Sequence, residues 1–236
     1  MEEKKLIGSL HKLQELSPSQ KKNLFQLMDR YYFISEEGFS SDLSKKDFVI
    51  LLCDEAGEIK GFTTIMLINS RIEDEEFRAI FSGDTIIEKE YWGSLELPKI
   101  WGRFMLSQIE EAKGKPLYWF LISSGYKTYR FLPVFFKEFY PSFEKQTPEK
   151  FGRLIELIGK MLFQDGFISD KGVIKLENPT PLKEGVADIS EDRRKDSHIS
   201  FFLSRNPGYY LGDELACIAK LEIDNIKPFM RRVLKG

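Results

Sequence analysis

The sequence predicts an α/β fold in which a mixed central sheet carries flanking helices and is completed by a carboxy-terminal extension. Three observations lead there. Asp47–Cys53 and Ile59–Ile68 are rich in β-branched and aromatic residues and flank Asp54–Glu58, the pattern of a hairpin. Phe77–Glu88, Leu95–Ala112, Leu117–Ile122 and Tyr126–Glu138 then alternate strand-like with helix-like runs, and such a βαβα unit sets its two strands parallel with a right-handed crossover. Finally, 236 residues with 42% apolar and 31% charged side chains are enough for a real core without disulfide support.

The elements follow in chain order. Lys4–Leu16 carries Leu6, Ile7, Leu10, Leu13 and Leu16 at helix-like spacing, although a short strand over 5–10 fits nearly as well. Ser17-Pro18 reads as an N-cap with Pro at the first helical position, opening a helix through Tyr31. Ser35–Lys46 reads as a polar loop. Leu117–Ile122 is continuously apolar, as in a strand buried on both faces, and the helix from Tyr126 is stopped by Pro141. Pro148–Phe163 reads as helix. Lys171–Ser197 is polar and contains Pro, and its charge run Asp188–Asp196 reads as a solvated loop. Ile199–Leu203 and Glu214–Leu221 are expected to form a second hairpin through Arg205-Asn-Pro-Gly208, and a short helix follows. The expectation is a single domain over 1–236, with a core of about 17–140 and an extension, 141–236, packed on it.

Composition excludes several function classes. Thirty-five basic and 37 acidic residues leave a formal charge of −2, so no overall field favours nucleic acid phosphates or an anionic membrane surface. No run of about 18 apolar residues and no signal-like amino terminus occur, which points to a cytoplasmic chain without a membrane span. Cys53 and Cys217 sit in apolar runs, as reduced thiols do. His11 and His198 lie in no metal-ligand spacing, so no metal is expected. Ser123-Ser124-Gly125 is not the Gly-x-Ser-x-Gly elbow of serine hydrolases. Twenty Phe read as a Phe-rich core, or more sharply as a pocket for a long apolar ligand.

The element order, and above all Asp84-Thr-Ile-Ile-Glu-Lys-Glu-Tyr-Trp-Gly93, resembles the GNAT acyltransferase superfamily. In that family a central strand ends in such a segment and turns through a glycine-containing loop into a helix whose N-terminus holds the pyrophosphate of coenzyme A. Glu90-Tyr91-Trp92-Gly93 matches the approach to that loop; Trp92 stands where the family has Arg, and Leu95 and Leu97 where it has glycines. The chain also looks like a group of uncharacterised bacterial GNAT-like proteins.

The resemblance implies an acyltransferase that passes an acyl group from a thioester, acyl-CoA or acetyl-CoA or an acyl carrier protein, to an amine or hydroxyl of a small molecule. Ile86 and Ile87 would hold the pantetheine arm, and the amides of Gly93, Ser94 and Leu95 a phosphate. Ser123, Ser124, Tyr126 and Tyr129 occupy the neighbourhood of the thioester. Asp84, in an apolar strand where a charge is costly to bury, reads either as a general base or as a cap at a strand bulge. Tyr126 and Tyr129 read as proton donors to a leaving thiolate or as helix packing. Arg205, Asn206, Tyr209 and Asp213 are dense enough in polar groups to bind an acceptor, though turn chemistry alone also explains them. The competing class is a non-catalytic binding or interaction protein on the same scaffold.

Overall fold

A computed structural model of the chain describes residues 5–186 and 188–235. Its centre is an eight-stranded mixed sheet in the order β1-β2-β3-β4-β5-β8-β7-β6. The amino-terminal half supplies β1 (Ile7–Lys12), β2 (Phe48–Cys53), β3 (Ile59–Ile72), β4 (Glu75–Ile87) and β5 (Leu117–Ser123). The extension supplies β6 (Phe167–Ile168), β7 (Val173–Ile174) and β8 (Glu214–Lys220). Only β4 and β5 run parallel, and β8 closes onto β5 antiparallel.

Helices cover both faces. On one face α3 (Glu96–Glu111), α4 (Tyr126–Tyr129), α5 (Phe131–Phe135), α8 (Ser197–Arg205) and α9 (Pro228–Lys235) pack through Trp101, Phe104, Leu132, Phe202 and Met230 onto Ile50, Ile65, Ile80, Leu121 and Cys217. On the other, α1 (Pro18–Asp29) and α2 (Glu36–Leu43) cover β2 and β3, while α6 (Glu149–Phe163) covers β4, β5 and β8. The alternation of strand side chains fixes this division: Phe77, Ala79 and Phe81 face α6, whereas Ile80 faces α3. Ser82, on the α3 face, accepts hydrogen bonds from the indoles of Trp101 and Trp119 at 3.2 and 3.0 Å. One hydroxyl thus satisfies two buried donors.

Several expectations are corrected, each by a local signal. The open segment 4–16 is a strand over Ile7–Lys12, paired along its length with β2. Ser35–Lys46 is not a loop: Ser35 accepts the Gly38 amide, Glu36 and Glu37 complement the helix dipole, and Phe39 and Leu43, four apart, are buried. The helix expected over 126–138 is two short ones, because the Pro133 ring would meet the carbonyl four residues earlier and cannot continue a helix from Tyr129. The late hairpin is absent. Ile199–Leu203 lies in α8, whose start is capped by Asp196 Oδ1 accepting the amides of His198 and Ile199 at 2.9 and 3.3 Å, so β8 joins the sheet without a hairpin partner from that run. A short apolar run does not by itself distinguish strand from buried helix. Within the polar stretch, Val173–Ile174 is strand and α7 (Glu191–Arg194) a helical turn.

Asn225 ties the carboxy-terminal segment to the chain following α5 and to β8. Its Nδ2 donates to the carbonyls of Glu138 and Lys220, both at 2.9 Å, and its Oδ1 accepts the Glu138 amide at 2.8 Å. Asn225→Ala leaves these groups without partners, and buried polar groups stranded in this way cost about 1–3 kcal/mol. Urea unfolding should show a lowered midpoint with unchanged slope.

Candidate functional site

Pairing between β4 and β5 covers Arg78–Ser82 against Leu117–Leu121 and then stops. The cause lies in the β3–β4 ladder. Ile65 faces Ser82 and Thr63 faces Thr85, so Thr64 alone opposes both Gly83 and Asp84. This bulge bends the end of β4 away from β5. A Cβ on Gly83 would lie 2.9 Å from Thr64 Oγ1 and 3.0 Å from Lys46 Nζ, so glycine lets the ammonium come close.

Two clefts open where the strands part. One, of about 510 Å³, lies on the α6 side and has Asp84, Ser124 and Glu214 among its walls. The other, of about 530 Å³, lies on the α3 side against Ile86, Ile87, the Trp92–Leu95 loop and the start of α4. Tyr32, Thr85 and Thr128 line both. The Thr85 hydroxyl is held to that of Thr63 at 2.7 Å.

The α6-side cleft is ionisable. Thr64 Oγ1 donates to Asp84 Oδ2 at 3.3 Å, and burial pushes the Asp84 carboxyl up while the Lys46 cation pulls it back. Lys46 is itself almost fully buried, 2.7 Å from Asp42 Oδ2 and 4.8 Å from the Phe81 ring centre. Ser124 Oγ donates to Glu214 Oε1 at 2.8 Å. Burial pushes Glu214 up to about 7, with the Ser124 hydrogen bond opposing and the Asp84 charge adding. The Tyr32 hydroxyl hydrogen-bonds Ser124, and burial holds it well above the ordinary phenol range, so it stays protonated. One carboxyl, that of Glu214, and a phenol are thereby linked through one serine, while Asp84 is held by Thr64.

The α3-side cleft is cationic. Its described lining contains Lys127, Arg130 and Arg193 and no carboxylate, whereas the α6-side cleft has Asp42, Asp84 and Glu214 beside Lys45 and Lys46. Trp92 turns its indole back to donate to the Ile87 carbonyl at 2.8 Å, with Lys127 Nζ 3.4 Å above the ring centre.

Comparison with solved structures finds partial likenesses. A GNAT family N-acetyltransferase, YhbS of Escherichia coli in complex with CoA, is 13% identical over 54% of this chain and 68% of its own, with a TM-score of 0.39. A probable N-acyltransferase of Enterococcus faecalis is also 13% identical, over 56% of this chain, with a TM-score of 0.43; the match spans 33% of its length. Escherichia coli ElaA is 19% identical over 58% of this chain and 93% of its own, with a TM-score of 0.35. No family model matches the chain, and no curated protein sequence does.

The residues singled out in the sequence divide between these surroundings. Asp84 and Ser124 line the α6-side cleft; Ile86, Ile87, Gly93, Ser94, Leu95 and Tyr126 line the α3-side one. Tyr129 lines neither. It is fully buried among Phe139, Phe201 and Phe202, and its hydroxyl donates to the Pro141 carbonyl at 3.1 Å. Ser123 is buried behind Ser124, with its hydroxyl unpartnered and outside both linings. The Arg205–Asp213 turn also lies outside both, and its polar groups serve the turn itself. Arg205 donates to the Lys171 carbonyl at 3.1 Å, Asn206 Nδ2 to the Asp213 carbonyl at 2.8 Å, Asp213 pairs with Lys175 at 2.9 Å, and Tyr209 packs edge-on against Phe202.

Sequence reasoning missed Tyr32, Lys46 and Glu214. Glu214 stands one residue past the polar turn, at the head of an apolar strand, and a carboxylate there was the available signal. Among the described residues no helix is long and apolar enough to cross a membrane, and no group of three or more His, Cys, Asp or Glu could hold a metal.

The raised Glu214 carboxyl sets a pH dependence of stability. Between its ordinary value of 4.5 and about 7 the folded chain keeps a proton that the unfolded chain has lost, so wild-type stability falls as pH rises through that window. Glu214→Gln removes the buried charge. Its melting temperature relative to wild type should therefore climb between pH 4.5 and pH 7 and level off above, as read by calorimetry.

Proposed function

We propose that the chain is a GNAT-type N-acyltransferase, with the thioester donor in the α3-side cleft and a small-molecule amine in the α6-side cleft. The observation that carries the reading is the junction. A cleft lined by cations and one that mixes carboxyls with lysines meet at Tyr32, Thr85 and Thr128, at the point where β4 and β5 part. An anionic thioester would enter the cationic cleft and an amine the one that holds the carboxyls, and their reacting atoms would meet at that junction.

The transfer uses groups already linked. Glu214, poised near neutrality, takes a proton from the ammonium as it enters, with Asp84 beside it. The free nitrogen lone pair attacks the carbonyl carbon, the C–N bond forms, the nitrogen releases its second proton to water in the cleft, and collapse of the tetrahedral intermediate breaks the C–S bond. Tyr32, kept neutral by burial, gives its proton to the departing thiolate. The proton on Glu214 then returns to Tyr32 through the Ser124 hydroxyl, which hydrogen-bonds both. Tyr32 thus takes the part that the sequence reading gave to Tyr126 and Tyr129.

Acetyl-CoA fits the donor cleft by its charge. It is the first donor to try, with a carrier-protein thioester as the alternative.

Thiol release from acetyl-CoA, followed over a panel of primary amines, tests the reading. Turnover with at least one amine is expected, rising with pH to a plateau above about 7 as Glu214 ionises. Glu214→Gln and Tyr32→Phe should each lower kcat by about 10²–10⁴-fold, the usual contribution of a positioned acid or base, with little change in KM for the donor. Tight donor binding without turnover for any amine or acyl chain would instead favour the non-catalytic class.

A further inference from the structure

The start of α3 is a poor phosphate cradle. Of the amides over Gly93–Pro98, that of Ser94 is bonded to the Tyr91 carbonyl at 3.1 Å and that of Glu96 to Ser94 Oγ at 3.3 Å, and Pro98 has none. Gly93, Leu95 and Leu97 are left. Glu96 turns its carboxylate to the Gly8 amide on β1, at 3.0 Å, and lies outside the cleft lining.

Beside this loop the cations gather. Lys127 comes from α4, Arg130 from the link to α5, and Arg193 from α7 in the extension, and all three line the cleft. Lys127 Nζ donates to the Val186 carbonyl at 2.9 Å and rests on Trp92; burial and the charges of Arg193 and Lys89 push its ammonium down, with Asp188 opposing. Arg130 lies 3.7 Å from Asp196. Cations that crowd one another beside a cleft free of carboxylates gain most from a dianion placed among them.

We infer that the phosphate groups of the donor are held by the side chains of Lys127, Arg130 and Arg193, rather than by backbone amides at the start of α3. The inference rests on the acyltransferase reading for the identity of the donor. The ligand chemistry is a phosphate ester or pyrophosphate at the end of a pantetheine-like arm. Coenzyme A and the phosphopantetheine of a carrier protein both present it.

Calorimetric titration with coenzyme A, 4′-phosphopantetheine and phosphate-free pantetheine separates the outcomes, using wild type, the double variant Lys127→Gln/Arg193→Gln and the charge control Lys113→Gln, whose side chain is exposed outside the cleft. All substituted positions are exposed, so the variants should fold, and a melting curve checks that they do. The double variant should bind the phosphorylated probes about tenfold or more weakly, the usual scale for loss of a charge-assisted contact. Pantetheine binding and the control should be unchanged, and the wild-type affinity for the phosphorylated probes should fall steeply with added salt. Preference for coenzyme A over 4′-phosphopantetheine by wild type alone extends the site to the pyrophosphate. Equal loss for both probes confines it to a single phosphate, as on a carrier protein.

Coenzyme A bound equally well by wild type and the double variant would overturn the phosphate site while leaving the acyltransferase reading standing. Phosphate-dependent binding lost in the double variant, in a protein that transfers no acyl group, would sink the acyltransferase reading and keep the site. No binding of any phosphorylated probe would overturn the site outright.

Discussion

Because β4 sets Gly83 and Asp84 against Thr64 alone, its last residues turn from β5, and the rest of the site follows from that turn. Without the extra residue the parallel pair would run on past Ser82 and Leu121, and the sheet would present two closed faces. With it, Asp84 points to the α6 side and Thr85 to the α3 side, and a passage opens between them. The bulge in turn depends on glycine, since any side chain at position 83 would press on Thr64 and on the Lys46 ammonium. A carboxylate at the floor of a cleft, a buried lysine beside it and a gap between strands are thus three results of one irregularity.

The extension does more than lengthen the sheet. It brings Glu214 to the cleft floor at the head of β8, and the stretch before α8 crosses both openings. Leu176, Asn178 and Thr180 line the α6-side cleft, while Leu182, Val186 and Arg193 line the α3-side one. The crossing point is fastened to the backbone after α1: Phe33 donates to the Pro181 carbonyl at 3.0 Å and Lys183 to the Tyr31 carbonyl at 2.8 Å, with Tyr32 and Leu182 bridged between them. Tyr32 is therefore held from the extension as well as from α1.

Most of the sheet was legible in the sequence because its strands announce themselves locally. The hairpin at 47–68 and the apolar run at 117–122 carry their own period and turn signals, and the parallel pairing of β4 with β5 follows from the helix between them. Less legible were elements whose signal is a cap rather than a period: Ser35 and Asp196 each open a helix where composition suggested a loop or a strand. The site was read in part. Asp84, Ile86, Ile87 and the loop at Gly93 lie on the strand and turn that carry the family resemblance. Tyr32, Lys46 and Glu214 come from three other parts of the chain, and only tertiary packing brings them to Asp84. Tyr129 misled for a related reason, since on one turn of helix Tyr126 and Tyr129 look alike until the aromatic cluster behind the second is known.

The three tryptophans have an unequal relation to this architecture. Trp101 and Trp119 are buried with their rings 4.5 Å apart and locked to Ser82, whereas Trp92 is 41% exposed at the mouth of the α3-side cleft beneath the Lys127 ammonium. A buried, paired indole and a solvated one under a positive charge emit at different wavelengths. The protein therefore carries an intrinsic optical probe whose red-edge emission belongs to a single position, at the mouth of the α3-side cleft, while the buried pair emits further to the blue.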